Sequence, residues 1–319
     1  MTVTSRIPGN YKYTEIIDYL SRRFTYFSRL EWLERVEEGK ILLNGKVNLD
    51  SHIMLAVGDE VSYEMPEFQD PPADLNYSII HEDEWIVAVN KPGNLLVHKS
   101  GKSFRSNLVY QLRYCHKPAT YPGIDAINRL DRETSGIVLL SKDKSCLRIM
   151  NEYLAAHGIK KEYIAVAKGI SQKKTWIESS PIGRDEKSAV KYRFCVNGID
   201  CKEAETGFEI LQSSTTMGIS VVRALPITGR THQIRVHLAA AGLPIAGDKL
   251  YGMSEEKFLA WRNNEQSDFS DVDKKGDKIK INRQALHCTS IKFIHPVTKK
   301  EVLIEAPLPQ DMQELINSL

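Results

Sequence analysis

The sequence predicts an α+β protein, with a largely antiparallel mixed sheet in its main domain and a small α/β unit at its N-terminus. Three observations predict it. Strand-like runs far outnumber helical ones and are often joined by turn residues. Two helices with one apolar side and a set of small hairpins fit into about fifty residues near the N-terminus. A proline-rich stretch then separates that unit from the rest of the chain.

The first unit runs over residues 13–65. Glu15 to Arg23 and Arg29 to Glu38 read as helices, with Ile16, Ile17 and Leu20 on the apolar side of one and Leu30, Leu33 and Val36 on that of the other. Gly39 suits a helix C-cap. Ile41-Leu42-Leu43 followed by Asn44-Gly45 is a hairpin signal, because both turn positions must take positive φ. Gly58-Asp59 makes a second turn before a strand from Glu60 to Tyr63. Residues 66–76, with Pro66, Pro71 and Pro72, suit a semi-rigid linker.

Residues 77–319 read as one domain. Strands are expected at Trp85 to Val89, Ile137 to Leu140, Tyr163 to Ala167, Phe208 to Leu211, Ile219 to Ala224, Ile291 to Ile294 and Val302 to Ala306. Helices are expected at Ser145 to Ala156, Thr231 to Ala241 (closed by Gly242) and Asp311 to Leu319. Gln266 to Lys280 mixes acids and bases and reads as a solvated surface loop.

Composition narrows the class. The 319 residues are 42% hydrophobic and 26% charged, ordinary for a globular protein. No apolar run reaches the roughly 18 residues of a membrane span. Met1 to Tyr13 lacks the apolar core of a secretory signal, so a cytoplasmic protein with no membrane partner is expected. The five cysteines, Cys115, Cys146, Cys195, Cys201 and Cys288, include no C-x-x-C pair and suggest neither a disulfide framework nor a zinc site. A net charge of +2 permits a nucleic-acid partner without arguing for one.

Two stretches carry chemistry. In Asn128-Arg129-Leu130-Asp131-Arg132-Glu133-Thr134-Ser135-Gly136 a carboxylate sits between two arginines just before an apolar strand. Flanking cations favour its ionised form, which suits a nucleophile or base. A structural salt-bridge network has the same pattern. In Thr228-Gly229-Arg230-Thr231-His232-Gln233-Ile234-Arg235-Val236-His237, Arg230 and a helix N-terminus together suit a phosphate or carboxylate. Gln233 and His237, four apart, share a helix face. The two histidines are expected to make structural hydrogen bonds, since no third ligand sits at zinc spacing. Asp248, in the Gly-rich Pro244 to Gly252 turn, is a possible second acid, although such residues usually satisfy backbone donors.

Taken together these stretches resemble the RluA family of pseudouridine synthases. Arg129-Leu130-Asp131 with Thr134-Ser135-Gly136 is similar to its H-R-L-D-x-x-T-S-G signature, and Lys161-Glu162-Tyr163 to its K-x-Y box. Lys91-Pro92-Gly93 through Val97-His98, Gly229 through Leu238, Gly247 through Gly252, Leu286-His287 and His295-Pro296 match its other motifs in order. The first unit resembles the S-four-like RNA-binding domain. Its residues 15–64 nevertheless hold six Lys or Arg against ten Asp or Glu, so phosphate attraction there requires a local patch.

The resemblance implies the pseudouridine synthase fold and an enzyme that detaches uracil from ribose, rotates it and rejoins it through carbon five. It implies no cofactor and no metal. Asp131 matches the essential carboxylate, acting on the anomeric carbon or on a ribose proton. Arg230 matches the arginine paired with it, and Tyr163 the tyrosine that stacks on the target base. Arg129 matches a residue that fills the space left by a flipped uridine; a structural ion pair is its other reading. Asn128, Arg132, Gln233 and Arg235 are expected to contact RNA or the base. Asn128 departs from the family His and excludes a charge there. Ribosomal RNA is the expected substrate ahead of transfer RNA, and the protein is expected to act as a monomer without an obligate protein partner. Two rivals are a non-catalytic RNA-binding protein of the same fold and a glycosidase. The first would typically have lost the Asp, the Tyr or the late Arg, and the second generally needs two flanking carboxylates.

Overall fold

A computed structural model describes residues 2–64, 70–101, 103–263 and 271–319. The chain divides into two compact units, Met1–Pro71 with Lys99–Arg105, and Pro72–His98 with Ser106–Leu319.

The first unit contains β1 (Thr2–Arg6), α1 (Ile16–Arg23), α2 (Arg29–Glu37), β2 (Ile41–Leu43), β3 (Lys46–Asn48) and β4 (Glu60–Glu64). Its strands form one antiparallel sheet in the order β1-β4-β2-β3. Asn44 and Gly45 take φ of 51° and 77°, the pair of positive values the tight β2–β3 turn requires. Ser28 caps α2 by accepting from Glu31 N, while the Glu31 carboxylate accepts from Ser28 N. The unit starts before the expected Tyr13, because Thr2–Arg6 pairs with β4. That strand alternates exposed and half-buried residues and has no continuous apolar run. In the proline-rich segment, residues 66–69 lie outside the described residues, and the division between units falls between Pro71 and Pro72.

The second unit begins with β5 (Ser78–Glu82) and β6 (Ile86–Lys91), then a short helical segment, α3 (Leu108–Tyr110), β7 (Asp125–Ala126), β8 (Ser135–Ser141) and α4 (Lys144–Ala155). It continues through β9 (Lys160–Lys168), β10 (Thr175–Glu178), β11 (Ile182–Arg184), β12 (Phe194–Val196), β13 (Ile199–Lys202), β14 (Thr206–Ser214) and β15 (Ile219–Pro226). It closes with α5 (Gln233–Ala240), α6 (Glu255–Asn263), β16 (Asp271–Val272), β17 (Lys278–Ile279), β18 (Leu286–Ile294), β19 (Glu301–Glu305) and α7 (Gln310–Asn317).

Among the described residues ten of these strands form one sheet, ordered β10-β14-β15-β9-β18-β8-β6-β5, with β19 beside β18 and β7 beside β8. Every pairing is antiparallel except β18 with β8, which is parallel over two residue pairs, His287 with Ser135 and Cys288 with Gly136. Every residue of β8 is buried, so both of its faces are covered, and its centre, Ile137 to Leu140, is an unbroken apolar run. Gly136 has φ 107°, and a Cβ there would lie 2.3 Å from the Cys288 carbonyl oxygen. No other residue type allows β8 and β18 to meet at this point.

Three features depart from the sequence reading. Helix α5 starts at Gln233 and not at Thr231, because His232 takes a left-handed conformation at φ 57°. The small sheet β12-β11-β13 was not expected, since its strands are short and partly exposed. The expected loop over 266–280 lies partly outside the described residues, but 271–280 holds the β16–β17 hairpin with a buried Asp271. Asp271 is buried because it accepts from Lys168 Nζ at 2.7 Å and Gly247 N at 2.9 Å.

Candidate active site

Asp131 sits in the tight turn that leads into β8, where Thr134 N donates to its carbonyl at 3.2 Å. The loop is held by its hydroxyls: Thr134 Oγ1 accepts from Gln284 Nε2, and Ser135 Oγ lies 2.8 Å from His287 Nδ1. Lys91, fully buried, supports it from below by donating to the carbonyls of Pro92 and Leu95 at 2.8 Å and of Arg132 at 3.2 Å. Burial pushes this amine down to about 7.

The cation that faces Asp131 is Arg235. Its Nη1 donates to Asp131 Oδ2 at 2.7 Å, while its Nε and Nη2 donate to Asp248 at 2.7 and 2.9 Å. Asp248, with no exposed surface, also accepts from the backbone N–H groups of Leu250 and Tyr251. One guanidinium thus bridges two carboxylates, using its fork on one and its remaining edge on the other. Burial raises the Asp131 pKa, but the Arg235 charge and hydrogen bond, together with His232 and Gln284, outweigh it and hold the carboxyl below its ordinary range. The Asp131 side chain keeps 31% of its surface exposed, so the ionised group faces the outside on one edge.

This corrects the expected pairing of Arg230 with Asp131. Arg230 is exposed and its Nε donates to the Glu203 carbonyl at 2.7 Å. The left-handed turn at His232 redirects the chain between Arg230 and α5, so it is the arginine inside the helix that reaches the loop. Burial decides between the two arginines: Arg235 lies between Ile234 and Val236 in a helix buried from Gln233 to Leu238, and a buried arginine requires acids as partners. Nor do the sequence neighbours of Asp131 hold it ionised. Arg132 donates to Asn94 Oδ1 at 2.9 Å and to the Pro72 carbonyl at 3.0 Å, and Arg129 is exposed.

Three expected RNA contacts, Gln233, Asn128 and Arg235, are internal instead. Gln233 is buried, accepts from Thr228 Oγ1 and Arg230 N, and donates to Glu205 O and Thr206 Oγ1. It shares a face with His237, as the spacing predicts, and both bind Thr206, His237 through Nδ1 at 3.0 Å. Asn128 is also buried; its Nδ2 donates to the Ile137 carbonyl and its Oδ1 accepts from Leu139 N, so its amide pairs with β8 as a strand would. Arg235 is committed to its two acids.

Tyr163, on β9, lies 7% exposed and is paired in register with Cys288 of β18, whose thiol lies near it. Burial and that thiol push its pKa well above the ordinary tyrosine value, so the phenol keeps its proton. His232 approaches Asp131 Oδ2 with Nε2 at 3.9 Å. Among the described residues no group of three or more His, Cys, Asp or Glu has the arrangement of a metal site.

The family model for RNA pseudouridylate synthase matches residues 85–240, which carry Asp131, Tyr163 and Arg235. Ribosomal large subunit pseudouridine synthase C of Vibrio vulnificus is 30% identical over 296 residues, spanning 89% of this chain and 86% of the relative. The enzyme of the same name from Pasteurella multocida is 34% identical over 246 residues, spanning 77% and 68%. The chain belongs to the RluA family of RNA pseudouridine synthases. Ribosomal large subunit pseudouridine synthase D of Neisseria meningitidis is 30% identical over 94% of this chain and 77% of its own length. A solved human structure, RNA Pseudouridylate Synthase Domain Containing 1, matches with a TM-score of 0.56 at 24% identity, over 78% of this chain and 97% of that one. The large antiparallel sheet is therefore the pseudouridine synthase fold, and the activity of this family is the isomerisation of uridine within RNA. The non-catalytic and glycosidase readings fall away. No helix among the described residues is long and apolar enough to cross a membrane.

Proposed function

We propose that this pseudouridine synthase acts on ribosomal RNA, with Asp131 as its catalytic carboxylate. The observation that carries the assignment is the Asp131–Arg235–Asp248 arrangement: an ionised carboxylate, exposed on one edge and fixed by a cation that is itself locked by a second acid. Breaking the bond between ribose and uracil begins at that group, by attack on the anomeric carbon or by removal of a ribose proton. Both routes need it charged and oriented before the uridine arrives. Tyr163, protonated and beside the carboxylate, offers a ring face and a hydroxyl to the base. Arg129, exposed two residues before Asp131, is read as the side chain that takes the space of a flipped nucleotide.

The names of three relatives, each referring to the large ribosomal subunit, support ribosomal RNA. The first unit is read as an additional RNA contact on its likeness to S-four-like domains. Asp131, Tyr163 and Arg235 all come from one unit of one chain, which supports action as a monomer, tested by light scattering at working concentration; a ribosomal RNA substrate supports action in the cytoplasm. Mapping pseudouridines in ribosomal and transfer RNA from cells with and without the gene tests the substrate. Loss of one or more ribosomal sites is expected; loss only of transfer-RNA sites would overturn it.

A further inference from the structure

We propose that Tyr251 is a positioning residue for the isomerisation, acting through His232 on Asp131. The inference rests on Asp131 being the catalytic carboxylate. Tyr251 Oη lies 3.1 Å from the backbone nitrogen of Phe194, on β12, and 2.9 Å from Nδ1 of His232. A backbone N–H only donates, so the phenol oxygen accepts there. The hydroxyl proton is then free to donate to His232 Nδ1, and it is assigned there. That nitrogen carries its lone pair, and the proton of a neutral imidazole resides on Nε2, the atom 3.9 Å from Asp131 Oδ2.

The surrounding groups agree with this direction. His232 faces Arg235, Asp131, Asp248 and Tyr251, and its ring meets Phe194 edge-on at 5.8 Å. Arg193 and Arg235 lie over the Tyr251 ring at 5.5 and 5.0 Å. Burial and the Arg235 charge push His232 down to about 4 against the pull of the two acids, so it is neutral at pH 7. The other tautomer would set a lone pair against an anionic oxygen. The locked one sets an N–H dipole there, which steadies the carboxylate without adding a second positive charge to weaken it. Asp248 supports the arrangement from both sides, since it holds the Tyr251 backbone N–H at 3.1 Å as well as the Arg235 fork. The left-handed backbone at His232 turns its ring toward the loop, at the cost of an uncommon conformation for a residue with a side chain.

The test uses the full-length protein and Tyr251→Phe, which removes only the hydroxyl. Nitrogen-15 spectra of the His232 ring are expected to show a single Nε2–H tautomer in the wild type and a mixture in the variant. With ribosomal RNA transcribed from 5-tritiated uridine, single-turnover tritium release should fall about fivefold, the size of one lost hydrogen bond, while RNA affinity is unchanged. In a His232→Gln background, where an amide supplies the N–H, Tyr251→Phe should cause no further loss. A wild-type ring protonated on Nδ1 overturns the proposal. So does a variant whose tautomer is unchanged, or one with the wild-type rate. The spectra do not depend on catalysis, so an Asp131→Asn protein that remained active would reveal failure of the carboxylate assignment separately.

Discussion

The two units solve the problem of a stable interior in different ways. The first packs Tyr19, Phe27, Trp32 and Tyr63 as buried aromatics, with Phe24 and Tyr26 against them, and ring centroids 4.9 to 6.2 Å apart. Large rings let a short chain bury much area per residue, which a unit of this size requires. Its buried polar residues are neutral among those described, such as Asn48 and Ser62. The second unit builds a long aliphatic sheet from Val, Ile, Leu and Ala, and admits Lys91, Arg235 and Asp248 to its interior. Buried charges destabilise unless paired; Asp271 with Lys168 is such a pair away from the site, whereas Lys91, Arg235 and Asp248 gather around the Asp131 loop, where the fold gives up stability for chemistry.

The sharpest way to break that comparison is Asp131→Asn. It should reduce tritium release by roughly 10³-fold or more, the scale expected for loss of an essential catalytic group, with RNA binding retained in a filter assay. Turnover within tenfold of wild type would mean that the charge cluster is only structural. Arg235→Ala leaves the buried Asp248 and the half-buried Asp131 without their cation and should lower stability by about 3–5 kcal/mol in urea denaturation, along with activity. Arg230→Ala, which removes one exposed contact to a carbonyl, should leave stability nearly unchanged.

Trp32→Ala tests the other side. It should cost about 3–5 kcal/mol, seen as faster hydrogen exchange confined to residues 2–64. A change in the pH dependence of single-turnover chemistry would instead tie the aromatic core to the site. Lys91→Met should cost about 1–3 kcal/mol by leaving buried carbonyls unpaired, and it carries a pH signature. The folded-state pKa of Lys91 is depressed from 10.5 to about 7. The unfolded chain therefore binds more protons between those values, and stability should rise with pH from about 7 toward 10.5. That slope should flatten in the variant. The smallest effect concerns Asp131 itself. Its carboxyl is held below the usual 3.8, and His232 titrates at about 4. Neither should produce a step in the single-turnover profile between about pH 5 and 8, where an ordinary histidine would.

The sequence made the α+β class, the apolar strand β8 and the Asp131 turn legible, because a continuous apolar run beside a charged loop is a local pattern. The arginine that holds Asp131 was not. Arg230 and Arg235 flank the same helix start, and the choice between them depends on the left-handed backbone at His232 and on Asp248, which comes into place only in the folded sheet. Gln233 and Asn128 were misjudged for a related reason. Amides offer donors and acceptors to a backbone as readily as to RNA, and only burial separates the two uses. The first strand and the small three-stranded sheet escaped because short, half-exposed strands acquire their identity from a partner.

The short parallel contact between β8 and β18 has a mechanical consequence. It joins two antiparallel ribbons, β6 and β5 extending from β8, and β9, β15, β14 and β10 extending from β18, through two residue pairs. Asp131 belongs to the first ribbon's edge, and Tyr163 to the second. The Arg235–Asp131 bond, Lys249 on Glu133 at 2.6 Å and Gln284 on Thr134 are rivets across the joint. A pulling force applied across it would shear the catalytic pair apart while both ribbons kept their own ladders, so the enzyme would lose its activity at a lower load than its shape.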